Sequence, residues 1–112
     1  MYLYLFNITF FSPPGAPVID LPPEYLDVVQ YKAGVSVKIR VGIIAKPLPM
    51  VEWLKDGKEL AQSSQLSIEN LTDSSAVLIK DATRLNTGTY EIKIKNLLGT
   101  ATAQIRIQIL GM

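Results

Sequence analysis

Apolar and polar residues alternate one by one in several short runs between residues 35 and 109 of this 112-residue chain. The longest such run closes the sequence, where every second residue of the segment 101–109 is apolar. A period of two places successive side chains on opposite faces of a β-strand, whereas an amphipathic helix repeats at three and four residues. Shorter runs of the same kind place the following residues on inward faces: Val35, Val37, Ile39 and Val41; Val51 and Trp53; Leu66 and Ile68; Val77 and Ile79; Tyr90, Ile92 and Ile94. Seven or eight short strands and no helical stretch predict an all-β sandwich of two antiparallel sheets.

Two aromatic residues indicate the centre of this sandwich. Trp53 lies on an inward face, and an aromatic side chain of this size packs best between two sheets. Tyr90 follows a turn at residues 86–89, so its hydroxyl can hydrogen-bond back to the loop backbone as a tyrosine corner. Trp53 also lies fourteen residues after Ile39 and thirty-nine before Ile92. We therefore predict a structural core that contains Ile39, Trp53, Val77, Ile79, Tyr90 and Ile92.

Glycine and proline mark the turns. The dipeptide Asp56-Gly57 lies between two short strands, and both residues tolerate the positive φ angles of a two-residue hairpin. Pro22-Pro23 separates two strand pieces at 18–21 and 25–30, and proline cannot donate a hydrogen bond to a sheet. We therefore expect the chain to pass from one sheet to the other at these prolines.

Cysteine and histidine are both absent from the sequence. Their absence excludes disulfides, cysteine catalysis, Ser-His triads and zinc sites built on these residues. The ten Asp and Glu residues are scattered, without the pattern of a Ca²⁺-binding or phosphate-binding loop. Eleven Lys and Arg residues leave a net charge of +1, without the basic face and exposed aromatics of a nucleic-acid-binding protein. We predict no catalytic residue, no cofactor-binding residue and no metal ligand, and therefore no enzyme.

Residues 1–16 differ from the rest of the chain. Residues 1–11 are apolar and aromatic without a charge, and residues 12–17 contain three prolines and one glycine, which form neither a helix nor a central strand. The apolar run is shorter than the about twenty residues of a membrane span, and it lacks the basic start and cleavage site of a secretory signal. We interpret residues 1–16 as an appended segment, either a gene-model artefact or a linker, and residues 17–110 as one domain.

Four signatures together resemble the intermediate-set (I-set) immunoglobulin family over residues 17–110. They are Val35-x-Val37-x-Ile39-x-Val41, Pro47-x-Pro49-x-Val51-x-Trp53-x-Lys55-Asp56-Gly57, Val77-x-Ile79 and Asn86-x-Gly88-x-Tyr90-x-Ile92. The resemblance implies an immunoglobulin-like β-sandwich with Greek-key connections, in which the segment 26–30 pairs with the last strand. It also implies that Ile39 and Ile92 occupy the places of the usual disulfide, and that Asn86 stands where the family usually has Asp.

The closing residues 95–110 look most like immunoglobulin domains of the giant sarcomeric proteins of the titin type. This resemblance implies a cytoplasmic structural module of the muscle sarcomere, which contributes to filament architecture, elasticity and protein–protein binding. The implied partners are neighbouring immunoglobulin or fibronectin type III domains of the same chain, with thick-filament proteins as further candidates. The resemblance implies no nucleic-acid or membrane partner, and we expect the isolated domain to be a monomer.

An extracellular adhesion or receptor domain is the alternative function. Asn7-Ile8-Thr9 and Asn70-Leu71-Thr72 have the pattern of glycosylation acceptors, and the apolar start could serve as a secretory signal. A secreted sandwich of this size usually keeps its disulfide, so the absence of cysteine favours the sarcomeric function. We interpret the polar strand faces that carry Lys93 and Arg106 as solvated surface rather than as a docking site.

Overall fold

The computed structural model of this chain describes residues 14–111, and these residues form nine β-strands and two 3₁₀ turns, at Pro23–Leu26 and Arg84–Asn86. The predictions made for residues 1–13, including the glycosylation acceptor at Asn7, lie outside the described residues. The strands are β1 (Gly15–Asp20), β2 (Val29–Lys32), β3 (Val37–Lys46), β4 (Met50–Lys55), β5 (Lys58–Glu59), β6 (Leu66–Asn70), β7 (Ser74–Ile79), β8 (Gly88–Asn96) and β9 (Gly99–Leu110).

These strands form two sheets that pack face to face. One sheet contains four strands in the order β1-β3-β7-β6, and the other contains five in the order β2-β9-β8-β4-β5. All neighbouring strands are antiparallel except β2 and β9, which run parallel. The arrangement confirms the predicted all-β sandwich and adds one parallel pair to it.

The apolar core lies between the two sheets. Among the six residues predicted for it, Ile39, Val77, Tyr90 and Ile92 are completely buried, Ile79 is 1% exposed and Trp53 is 2% exposed. They lie on β3, β7, β8 and β4, so both sheets contribute to the centre of the core. Burying one large aliphatic side chain contributes roughly 1.5–3 kcal/mol. The disulfide-free interior therefore depends on apolar packing.

The inward orientation expected for Val35 is wrong. Val35 is 39% exposed and precedes β3, whose first residue is Val37. Its N–H donates to Lys32 O at 3.4 Å, and its carbonyl accepts from Ala82 N–H at 2.9 Å. Gly34, with a φ of 94°, completes the turn that joins β2 to β3. The turn therefore interrupts the strand alternation before it reaches Val35.

The hairpin between β4 and β5 is confirmed at Asp56-Gly57. The two residues have φ angles of 51° and 85°, which is the combination of a type I′ turn. The Asp56 carboxylate also accepts a hydrogen bond from Thr89 N–H at 2.9 Å, and this bond lowers the pKa of Asp56. Gly88 leaves room for this carboxylate, because a Cβ there would lie 2.7 Å from an Asp56 carboxylate oxygen and would displace it.

The chain changes sheet at Pro22 and Pro23, as expected. β1 precedes these prolines in the four-stranded sheet, and β2 follows them in the five-stranded sheet. The strand expected over residues 25–30 is wrong, however, since Pro23–Leu26 is a 3₁₀ turn and β2 begins at Val29. The fixed φ and missing N–H of proline suit the first position of a helical turn. Tyr25 N–H then closes this turn on Pro22 O at 3.0 Å.

Candidate load-bearing site at the terminal strands

The described chain enters and leaves the sandwich at opposite ends. β1 begins at Gly15, opposite Lys46 at the end of β3, and Gly15 is hydrogen-bonded to Asn96, the last residue of β8 before the turn to β9. β9 starts at that turn and runs away from Gly15 as far as Leu110, which pairs with Lys32 of β2. We call these two places the N-terminal end and the C-terminal end of the sandwich. A pull on the two chain ends therefore acts along the length of the terminal strands.

One amide side chain holds the N-terminal end together. Asn96 Nδ2 donates to Gly15 O at 3.0 Å and to Pro47 O at 3.1 Å, while Asn96 Oδ1 accepts from a backbone N–H of the β8–β9 turn at 2.8 Å. It therefore joins the start of β1, the loop after β3 and the turn before β9. Gly99 allows this close packing, because a Cβ at Gly99 would lie 2.9 Å from the Cβ of Ala16.

The hydroxyl of Tyr25 continues the hydrogen bonding of β3 where β1 departs. β1 pairs with β3 as far as Asp20, which lies opposite Gly42. Further along β3, Tyr25 Oη accepts from Arg40 N–H at 3.2 Å and donates to Lys38 O at 3.4 Å. Burial raises the pKa of the Tyr25 hydroxyl, so the proton needed for donation is retained. One side chain thus satisfies two backbone groups at the edge of the four-stranded sheet.

The parallel pair of β2 and β9 joins the first and last parts of the domain. Its register is Val29 opposite Ile107, Gln30 opposite Gln108, Tyr31 opposite Ile109 and Lys32 opposite Leu110. Ala33 N–H extends the ladder by donating to Leu110 O at 2.8 Å. Alternate residues donate in a parallel ladder, so Val29 and Tyr31 direct their N–H groups to β9 as Ala33 does, and Gln30 directs its N–H away. The pairing expected over residues 26–30 is therefore shifted towards the C-terminus.

The segment before β2 contacts β9 through side chains. Arg106 donates to Leu26 O at 3.5 Å, and its guanidinium lies 3.8 Å from the Asp27 carboxylate. Val28 N–H donates to the same carboxylate at 2.8 Å, so the backbone ladder begins at Val29. Exposed ion pairs of this kind contribute about 0–1 kcal/mol. The backbone ladder is therefore the stronger connection between the two terminal strands.

β9 is hydrogen-bonded along both of its edges. β8, Gly88–Asn96, pairs with it over the full length of β8. Beyond the start of β8, Thr87 Oγ1 accepts from Ile109 N–H at 2.9 Å. The last residues of β9 are thus held by β2 on one edge and by the Thr87 hydroxyl on the other.

Polar contacts inside the core fix its two large aromatic residues. Trp53 Nε1 donates to Ser75 Oγ at 2.8 Å, and Ser75 Oγ donates to Asn70 Oδ1 at 2.6 Å. Tyr90 Oη donates to Asn86 O at 2.6 Å, which confirms the tyrosine corner. Burial raises the pKa of Tyr90 to about 12. The predicted core residues therefore support the sheets that carry the terminal strands.

Asn86 also caps its own turn. Asn86 Oδ1 accepts from Thr83 N–H at 2.8 Å, while Thr83 Oγ1 accepts from Leu85 N–H at 3.2 Å, and the pair forms a capping box. An amide therefore supplies the acceptor in this loop. Within residues 14–111, no three Asp, Glu, His or Cys side chains are grouped to hold a metal ion, and no helix there has the length and apolar character to cross a membrane.

The sequence matches the model of the immunoglobulin I-set domain over residues 22–109. The match covers most of the chain, and the two packed sheets with a tyrosine corner have the form of this fold. The chain belongs to the immunoglobulin I-set family, whose members are typically non-enzymatic domains.

Relatives of known identity include muscle proteins. Cardiac-type myosin-binding protein C of Homo sapiens is 31% identical over 93 residues, which are 81% of this chain and 7% of that protein. The chain therefore spans only a small part of the length of the curated relative that it matches. Among solved structures, titin M4 superposes with a TM-score of 0.79 at 23% identity, over 88% of this chain and 100% of that chain.

A second solved structure is a crystal structure of titin M10 in complex with an obscurin-like 1 immunoglobulin domain. One chain of it superposes with a TM-score of 0.76 at 25% identity, over 85% of this chain and 94% of that chain. The domain thus resembles the immunoglobulin-like modules of titin and of myosin-binding protein C.

Proposed function

We propose that this domain is a structural and mechanical module of a giant sarcomeric protein of the titin type, located in the cytoplasmic myofibril. The observation that carries the proposal is the parallel pairing of β2 with β9 between chain ends that leave the sandwich in opposite directions. The module contributes filament architecture and elasticity by keeping a defined length under tension and by binding its neighbours.

The sarcomeric location is supported by the relatives and by the chemistry of the core. Myosin-binding protein C and titin domains are what this chain resembles. A native disulfide would contribute about 2–4 kcal/mol. Burial of Ile39 and Ile92, which are both fully buried, contributes roughly 1.5–3 kcal/mol each, so apolar packing compensates for the missing bridge. A core of this kind is independent of the redox state of its compartment.

Tension between the two ends loads the β2–β9 ladder in shear. Both strands run towards the C-terminal end, so tension from the preceding chain and from the following chain moves them in opposite directions. The ladder bonds from Val29, Tyr31 and Ala33 then bear the load at the same time. Each such bond contributes about 0.5–1.5 kcal/mol of net stability. Forced unfolding depends on the unfolding rate, and a transition state that requires several bonds to break together is reached slowly.

Neighbouring immunoglobulin or fibronectin type III domains of the same polypeptide are the partners that fit this function, with thick-filament proteins as further candidates. In the related structure named above, titin M10 is in complex with an obscurin-like 1 immunoglobulin domain. Such a complex is a precedent for binding between domains of this family.

Single-molecule pulling of the domain between two identical handle domains tests the proposal. Val29→Pro removes an N–H that points to β9, whereas Gln30→Pro, the matched control, removes one that points away. We expect the unfolding force to fall clearly more for Val29→Pro than for Gln30→Pro, because only the first loses a loaded bond. Equal unfolding forces for wild type and Val29→Pro would reject the load-bearing function.

A further inference from the structure

An apolar groove opens at the N-terminal end of the sandwich, between β3 and β4. It has a volume of about 630 Å³, within the range of ligand pockets. Ile43 of β3 and Val51 of β4 line it from the two sheets, and the loops at 48–49 and 71–73 form its rim. Asp73 is the one charged residue among the described residues that line it. The groove is therefore suited to apolar side chains.

The rim of the groove exposes large apolar side chains to solvent. Leu48 is 66% exposed and Leu71 is 57% exposed, and Met50, next to the groove on β4, is 79% exposed. Scattered exposed leucines are ordinary, but several around one concave site indicate a binding surface. Strand β5 pairs only with Leu54 and Lys55 of β4. β5 therefore does not pair with the part of β4 that lies beside the groove.

The chain carries a chemically matching segment directly before the described domain. Residues 2–11 have no charged side chain and contain five of the nine aromatic residues of the chain, including all three phenylalanines. Polar Asn7 and Thr9 alternate with apolar Phe6, Ile8 and Phe10, which is the pattern of an extended segment with one apolar face. We propose that this segment, residues 2–11, binds the groove at the N-terminal end of its own domain.

The position at which the described chain begins places this segment within reach of the groove. Gly15 is bound by Asn96 at the end of β8, and β4, which forms one wall of the groove, is the strand next to β8. Neighbouring strands lie about 4.8 Å apart. Phe6 is eight residues before Pro14, and eight extended residues span about 26 Å. The same Asn96 side chain holds Pro47, so the loop that carries Leu48 is fixed beside the start of the domain.

A spin label in the segment tests the proposal in the full chain. The chain has no cysteine, so Asn7→Cys creates a single labelling position for a nitroxide. We expect the methyl NMR signals of Leu48, Val51 and Leu71 to lose intensity when the label is paramagnetic, relative to the same sample with the label reduced. The signals of Leu85, near the C-terminal end, should keep theirs. Unchanged intensity at the three groove residues would overturn the proposal.

Groove variants and a mixed sample identify the occupant. Leu71→Asp or Leu48→Asp should abolish the loss of intensity at the remaining groove methyl groups. Leu97→Asp is the matched control, since Leu97 is exposed in the turn at the same end but does not line the groove. Trp53 fluorescence shows which variants are folded. If a mixture of labelled chain and isotope-enriched unlabelled chain shows the same loss, a second copy supplies the segment and the proposal is wrong.

Discussion

Replacing Ile39 by alanine removes three carbon atoms from the centre of the sandwich. Ile39 is completely buried on β3 and lies opposite Val77 of β7. Transfer of three methylene-sized groups accounts for about 2.4 kcal/mol at about 0.8 kcal/mol per group. The cavity that remains adds to this cost, and substitutions of this kind cost about 2–5 kcal/mol in total. Beside Ile39, β3 is bonded to β7 on one edge and to the Tyr25 hydroxyl on the other, so it cannot easily move inward, and we expect a loss of about 3–4 kcal/mol.

Urea unfolding followed by the fluorescence of Trp53 measures this loss. The indole is buried, and it is the single tryptophan of the chain, so its emission reports exposure of the core. Ile44→Ala is the matched control on the same strand, since Ile44 is 65% exposed and its loss should change stability by less than about 0.5 kcal/mol. A loss below about 1 kcal/mol for Ile39→Ala would refute the central position of this side chain. Reducing agent should leave every curve unchanged, because the chain has no disulfide.

Three further substitutions test contacts described above. Tyr25→Phe leaves two backbone groups of β3 without their partner and should cost about 1–3 kcal/mol in a urea melt, whereas Tyr31→Phe, whose hydroxyl has no such contact in the described residues, should cost less. Ser75→Ala leaves the buried indole N–H of Trp53 unpaired and should also cost about 1–3 kcal/mol; an unchanged melt would show that another acceptor is available. The pKa of Asp56 is lowered in the folded state, so its contribution is present at neutral pH and is lost as the pH falls below about 4. The wild type should therefore lose more stability between pH 7 and pH 3 than Asp56→Asn, and parallel losses would contradict this.

Alternation along the chain was sufficient to predict the strands that form the core. The face of a residue on a strand depends on its position alone, so Val77 and Ile92 could be placed without knowing which strands pair. The same rule places Ser75 inward, two residues before Val77, and a buried indole needs an acceptor for its N–H. The alternation that places Val77 therefore also contains the signal for the contact between Ser75 and Trp53, which the predicted core lacks.

Alternation was insufficient where a segment forms contacts with distant backbone groups. The segment that contains Tyr25 was expected to form a strand, but it forms a 3₁₀ turn whose tyrosine hydroxyl bonds to Arg40 N–H and Lys38 O on β3, and no local pattern reports such a partner. Val35 continues the alternation of β3 in sequence, but the backbone there is held in a turn by Ala82. The groove depends on two loops that meet at one end because of the sheet order, which the spacing of Leu48 and Leu71 does not reveal.

The departure of the two chain ends from opposite ends of the sandwich has a consequence for any protein that repeats this domain. Domains joined in this way are arranged end to end in a line. Domains whose two chain ends lie at the same end would instead project sideways from the linkers that connect them. The twelve residues of β9 measure about 40 Å at about 3.4 Å per residue, so each copy adds roughly that distance to the line. The length of such a protein is therefore proportional to the number of its domains, and the gene can change this length by adding or removing copies.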